Sequence, residues 1–255
     1  MNNWFYIVLI VLVTLIFYRV LPLLYLGVTA TNVTRKMKHT CLPTGKLGGE
    51  VWVAKDGHAN VFFVKDGSGY IAIDAGDSPE KLISQMAKIN IKPEEVHTVL
   101  LTHSDIDHVG AISAFNHADI YIAAAEVPLI DGSGQRTFTR HRIKFNNKLK
   151  ASYHTLEDGQ TLKTQSRDVE CTLTPGHTPG SMCFLIDGKY LFTGDTVKLV
   201  SGKFQPFVEI FTMDTAENAA SIHKLAQLVR QREIYSLYTA YYGYTDNLSY
   251  AAEGW

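Results

Sequence analysis

Thr102-His103-Ser104-Asp105-Ile106-Asp107-His108 places four potential metal ligands within six residues, directly after the apolar run 96–101. A hydrophobic core gathers that many polar side chains only where something pairs them. A solvated loop also accommodates them, so this segment alone leaves two readings open. Working outward separates them. Thr174-Pro175-Gly176-His177-Thr178-Pro179-Gly180-Ser181 presents one histidine on a Gly/Pro-rich turn after the strand-like run 169–173. Phe192-Thr193-Gly194-Asp195-Thr196 sets a carboxylate just past another apolar run. Several strands thus deliver His or Asp at their C-terminal ends, which is how a site is assembled on a sheet scaffold.

The rest of the chain supplies that scaffold. Segments 51–54, 61–64, 70–74, 120–123, 152–156, 169–173, 182–187, 189–193 and 235–240 read as strands, with Asp56-Gly57, Asp66-Gly67 and Asp187-Gly188 as turn signals. Ser78-Pro79-Glu80 starts a helix with Ser78 as N-cap, and Leu82, Ile83, Met86 and Ile89 follow at helical spacing. A short helix is expected over 109–116, and a longer one over 215–232 capped by Asp214. Strands in runs with helices between them imply an α+β or layered α/β/α domain.

Four motifs in this order resemble the metallo-β-lactamase superfamily: Ile73-Asp74-Ala75-Gly76, the His103–His108 loop, the Gly176–Gly180 loop and Thr193-Gly194-Asp195. The resemblance covers residues 48–247 and implies an α+β fold, an αββα sandwich with metals at one edge. Carried over residue by residue, it implies a first metal held by His103, Asp105 and His177. A second would use Asp107 and His108, with Asp195 bridging, while Asp74 supports the ligand loop.

Two positions depart from the family pattern. Asp105 stands where the family has its second histidine, and Tyr241, in Thr239-Ala240-Tyr241-Tyr242-Gly243, where it has its last. Carboxylate oxygen is an accepted zinc ligand and shifts preference towards iron or manganese. A phenol ligates well only as phenolate, so one tightly held ion is expected, with a second weak or absent. Tyr241 could instead hydrogen-bond a substrate oxyanion. The implied activity is a metal-dependent hydrolase: a metal lowers the pKa of its bound water, and the hydroxide attacks a small ester, thioester, lactone or amide. Asp107 and Tyr241 are the implied catalytic residues. The alternative is a degenerate member that binds metal weakly and serves as a binding or regulatory module.

Composition sets the remaining bounds. The 255 residues are 46% hydrophobic and 19% charged, which is globular, and the net charge of −1 gives no reason to expect nucleic-acid binding. Cys41, Cys171 and Cys183 do not make a disulfide framework. The run 4–28 is apolar apart from Arg19, has aromatics at Trp4, Tyr6, Tyr18 and Tyr25, and lacks the basic start of a signal peptide. It is read as an N-terminal transmembrane helix within an anchor over 1–30, followed by a linker over 31–48 and the catalytic domain over 49–255. Arg19, Arg35, Lys36 and Lys38 place that domain in the cytoplasm of a single-pass membrane protein. Residues 136–150 carry Arg136, Arg140, Arg142, Lys144, Lys148 and Lys150. They are read as a solvated face, or as a rim attracting an anionic small-molecule substrate or anionic lipid.

Overall fold

The structure, a computed structural model, describes residues 3–57, 59–137, 149 and 151–255. His58 and most of the basic segment after Thr137 therefore lie outside the described residues. The chain divides into two units, Met1–His39 and Thr40–Trp255.

The first unit is helical: α1 (Asn3–Leu15), a π-helical turn over Ile16–Val20, and α2 (Leu21–Lys38). The transmembrane anchor expected here is corrected: among the described residues no helix is long and apolar enough to cross a membrane. At 1.5 Å per residue α1 rises about 20 Å, against a hydrocarbon core of about 30 Å. The wide turn then breaks the α-helical ladder. The second half of α2 carries Thr29, Thr31, Asn32, Thr34, Arg35, Lys36 and Lys38, which no hydrocarbon core would accept. With the anchor goes the single-pass membrane localisation, and the cytoplasmic placement that was read from it.

The second unit is built on two sheets. β1 (Gly45–Gly48), β2 (Val51–Lys55), β3 (Asn60–Asp66), β4 (Gly69–Ile73), β5 (Val96–Leu100), β6 (Asp119–Ala123) and β7 (His154–Leu156) form the first, in sequence order. Pairing is antiparallel from β1 to β4 and parallel from β4 to β7. The second sheet comprises β8 (Thr161–Lys163), β9 (Asp168–Leu173), β10 (Met182–Ile186) and β11 (Tyr190–Phe192), then two later strands that follow a separate hairpin. That hairpin is β12 (Val197–Val200) with β13 (Lys203–Pro206), and the late strands are β14 (Ser236–Tyr238) and β15 (Tyr244–Thr245). Spatial order in the second sheet is β15-β14-β11-β10-β9-β8, with β11 and β14 parallel.

Strand sequences that are apolar on both faces explain the layering, since successive side chains point to opposite sides. In β3, Phe62 and Val64 face the second sheet, where they join Phe184, Ile186 and Phe192. Val61 and Phe63 face outward, onto Leu82 and Met86 of α3 (Pro79–Lys88). In β10, Cys183 and Leu185 turn the other way, onto Ile222, Leu225 and Ala226 of a later helix. Between lie the short α4 (Ile106–Val109) and α5 (Val127–Asp131); the later helices are α6 (Thr215–Gln231) and α7 (Leu248–Ala251). The four layers are the expected αββα sandwich.

Local details differ from the sequence reading in places. The helix expected over 109–116 is split: α4 begins inside the ligand loop and a 3₁₀ turn covers Ile112–Phe115. Gly110 lies between the two, where the chain passes so close to Asp77 that a Cβ would meet Asp77 O at 2.4 Å and Ile106 O at 2.6 Å. β1, β8, β13 and β15 are short and carry few apolar residues, and β12 spans only four residues, so their period-2 signal is weak. Asp214 caps α6 as expected, accepting from the N–H groups of Ala216 and Glu217. Ser78 occupies the N-cap of α3, but its hydroxyl donates to Glu80. Buried Asp56 instead accepts from the N–H groups of Asp77 and Ser78.

Asp56→Ala should therefore cost about 1–3 kcal/mol in urea unfolding, the usual loss for orphaned buried donors. Ser78→Ala should cost under about 0.5 kcal/mol, the surface range. Equal losses would show that the carboxylate does not hold the entry to α3.

Candidate metal centre

Parallel pairing brings the chemistry together. β4 and β5 end side by side, so Asp74 and the loop from Leu101 to His108 emerge next to each other. β11 and β14 end side by side, so Asp195 and Tyr241 do the same. Met182 N–H donates to Thr102 O at 2.9 Å, joining the first sheet's ligand loop to the start of β10.

Asp74 organises the first loop. It is buried and adopts φ 63°, a conformation uncommon outside glycine. Its carboxylate accepts from Thr102 N–H at 2.8 Å, from the Thr102 hydroxyl at 3.0 Å, and from His108 Nδ1 at 2.8 Å. Because the Thr102 hydroxyl donates to Asp74, it must accept from His103 Nδ1, 3.0 Å away. Both imidazoles are thereby oriented with Nε2 towards the site, the arrangement typical of metal-binding histidines.

The second loop is set by glycine. Gly176 has φ 130°, and a Cβ there would sit 2.2 Å from the backbone nitrogen of Asn218. The loop can therefore seat His177 against α6 only with glycine before it. Gly194 similarly leaves no room for a Cβ beside Thr102, which lets Asp195 reach the histidines.

Ligand atoms of His103, His177 and Asp195 converge within 4.8 Å of one another, and all three residues are buried. His103 Nε2 and His177 Nε2 are 3.2 Å apart. Asp195 Oδ2 lies 3.5 Å from His177 Nε2, 3.9 Å from His103 Nε2 and 3.7 Å from His108 Nε2. Asp105 Oδ2 lies 3.1 Å from His177 Nε2 and 3.7 Å from His103 Nε2. Ligands held at zinc distances in a tetrahedron stand about 3.3–3.4 Å apart, so these separations bracket a zinc cage. Asp195 Oδ1 is buried and has no hydrogen-bond partner among the described residues. A carboxylate left so is costly without a cation, which makes this donor set fit a metal.

Charge follows the same logic. Burial raises the Asp195 carboxyl to about 7, although His108 and His103 oppose it. Burial also keeps His177 neutral, well below the usual imidazole range, with Arg136 and His103 acting in the same direction. Burial disfavours charge on His108 too, but Asp74, Asp195 and Asp107 outweigh it and lift that ring to about 10.

The remaining expected residues are also here, in altered company. Tyr241 donates a hydrogen bond to Asp107 Oδ2 and lies 3.4 Å from His108 Nε2. Burial and the Asp107 charge push the phenol well above its ordinary pKa, so it stays a donor. The Phe207 ring packs 4.8 Å from His177 and 5.9 Å from Tyr241, giving the site an apolar wall. Asp105 is gripped at both oxygens by Arg136, from Nε and Nη2 at 2.7 Å each.

Two residues escaped the sequence reading. Arg136 belongs to the run read as a solvated face or a rim, yet it is 4% exposed and pairs with Asp105 inside the site. Glu126, fully buried, accepts from Ser104 N–H at 2.9 Å, the Ser104 hydroxyl at 2.6 Å and Gly180 N–H at 2.9 Å. It staples the two ligand loops together. Its one sequence signal is a lone carboxylate in Ala124-Ala125-Glu126-Val127.

The metallo-β-lactamase superfamily profile matches residues 54–233. A probable polyketide biosynthesis zinc-dependent hydrolase, BaeB of Bacillus velezensis, is 32% identical over 130 residues, covering 50% of this chain and 49% of that protein. Thioesterase pkgB of Emericella nidulans is 32% identical over 140 residues, 54% of this chain and 35% of that one. The chain thus spans half or less of the length of these relatives. Among solved structures, a B3 metallo-β-lactamase with an active-site glutamic acid superposes with TM-score 0.61 at 19% identity, covering 86% of this chain and 88% of that one.

Glu126→Gln tests the staple. Its amide nitrogen must face either Ser104 N–H or Gly180 N–H, so unfolding free energy should drop by about 1–3 kcal/mol. A drop under about 0.5 kcal/mol in chemical denaturation would show that the loops are held by other means.

Proposed function

The chain belongs to the metallo-β-lactamase superfamily, and from that premise we propose that it is a metal-dependent hydrolase acting on a small ester or thioester. The observation that carries this reading is the convergence of His103 Nε2, His177 Nε2 and the Asp195 carboxylate within 4.8 Å in a buried setting. The zinc-dependent hydrolase and the thioesterase among its relatives support the reaction class.

His103, His177, Asp195 and Asp105 would hold one zinc ion; iron or manganese would suit the carboxylate-rich set as well. A bound divalent ion supplies a Lewis acid and a water activated near neutral pH. The protein's own groups do the rest. Asp107, partly exposed, would accept the proton of the attacking water and pass it to the departing alkoxide or thiolate. Tyr241, protonated, donates its single hydroxyl hydrogen to Asp107 and holds that carboxylate in place; once Asp107 takes up a proton, the hydroxyl is released to turn towards the oxyanion developing on the substrate. Phe207 keeps bulk water from the His177 side, which strengthens each of these interactions. With Tyr241 hydrogen-bonded to Asp107 and close to His108, a second ion would bind weakly or not at all.

The full-length protein should carry about one equivalent of zinc by elemental analysis and turn over ester and thioester substrates. His177→Ala should lose the ion, and activity should fall at least about a hundred-fold, because even outer-sphere partners of a metal cost 10–100-fold. Under about a tenth of an equivalent in the wild type, after zinc is supplied, would overturn the proposal.

A further inference from the structure

Asp105 and Arg136 form a pair whose chemistry the metal reading leaves unexplained. A buried guanidinium is expensive unless every direction it points in is satisfied. Among the described residues, Arg136 has partners for at least four of its five N–H donors: Nε and Nη2 grip Asp105, Nη2 also donates to Phe211 O at 2.6 Å, and Nη1 donates to Thr137 O at 3.1 Å. Nη2 lies 3.3 Å from His177 Nε2, so the cation stands at the edge of the ligand cage. Asp105 Oδ2, the oxygen held by Nη2, is the one that faces His177 and His103.

We propose that Asp105 and Arg136 act as one unit that replaces a neutral imidazole ligand, with Arg136 as the positioning residue. This rests on the metal reading above. A lone carboxylate in place of an imidazole would add a full negative charge to the cage and weaken the ion as a Lewis acid. The guanidinium offsets that charge and, through its planar fork, fixes the carboxylate with Oδ2 turned to the histidines. A lysine would match the charge but lack the fork. Removing either member alone harms the site. Without Arg136 the aspartate is an uncompensated, largely enclosed anion that is free to rotate; without Asp105 an unpaired cation stands beside the ion's position.

A four-protein cycle on the full chain tests this: wild type, Asp105→His, Arg136→Gln and the double variant, each titrated with zinc against a competing chelator. Each single variant should bind zinc about ten- to a hundred-fold more weakly, the range for partners that orient metal ligands. The double variant, again a neutral imidazole with no buried cation, should return to within a few-fold of wild type. A residue that matters only for folding would not yield such a rescue. If Arg136→Gln does not fold, the comparison of Asp105→His with the double variant decides, and tighter zinc in the double supports the unit. Additive losses in the double, or wild-type affinity in Arg136→Gln, would overturn this proposal alone. Absence of zinc binding in the wild type would overturn the metal reading and this one with it.

Discussion

The buried carboxylate of Asp74 is the contact on which the site's geometry depends. It closes a backbone turn at positive φ and accepts hydrogen bonds from the Thr102 amide and hydroxyl and from His108 Nδ1. Those hydrogen bonds orient two histidine rings, one directly and one through the Thr102 hydroxyl. A carboxylate can do this only where it accepts several donors at once, which is why it tolerates complete burial. The loop that carries His177 is tied to the same point, because the Thr102 carbonyl accepts from Met182 N–H at the start of β10.

Around that anchor the site is a problem in charge. Asp74, Asp105, Asp107 and Asp195 lie together with Glu126 just behind, and Arg136 and His108 are the cations that face them. Asp105 is settled by Arg136, which holds its carboxyl well below the usual carboxylate range even though burial pulls the other way. Asp107 has the Tyr241 hydroxyl. Asp195 is served least well, with one oxygen turned to three imidazoles and the other without a partner among the described residues. The greatest electrostatic need therefore sits where the ligand atoms converge.

The sandwich provides rigidity at that edge. Phe62, Phe192 and Tyr238 pack with ring centroids 4.9–5.4 Å apart directly beneath the ends of β11 and β14. Stacked aromatics in a close-packed layer resist the displacements that would loosen ligand geometry. The loops carrying Asp195 and Tyr241 are tied to each other as well, by Ala240 N–H to Gly194 O at 3.2 Å.

What was legible in the sequence was what depends on local pattern. Apolar runs on both faces marked the strands of a layered sandwich, Asp214 marked the start of α6, and His or Asp after each run marked the ligand loops. Those signals are short-range, because side-chain period, caps and turns are decided within a few residues. Local pattern misled at the N-terminus, where apolar length suggested a membrane span. There the helix is interrupted by a π turn, and the polar second half of α2 follows. Only the tertiary structure could decide which distant groups meet. Arg136 looked like one member of a basic run until the fold set it against Asp105, thirty-one residues away in sequence. Tyr241 looked like a lost ligand until it was seen as the donor to Asp107, and Glu126 had almost no sequence signal before it joined Ser104 to Gly180. Such partners are chosen by geometry across the two sheets and by the cost of leaving a buried charge alone. Neither of these is written in the spacing of neighbouring residues.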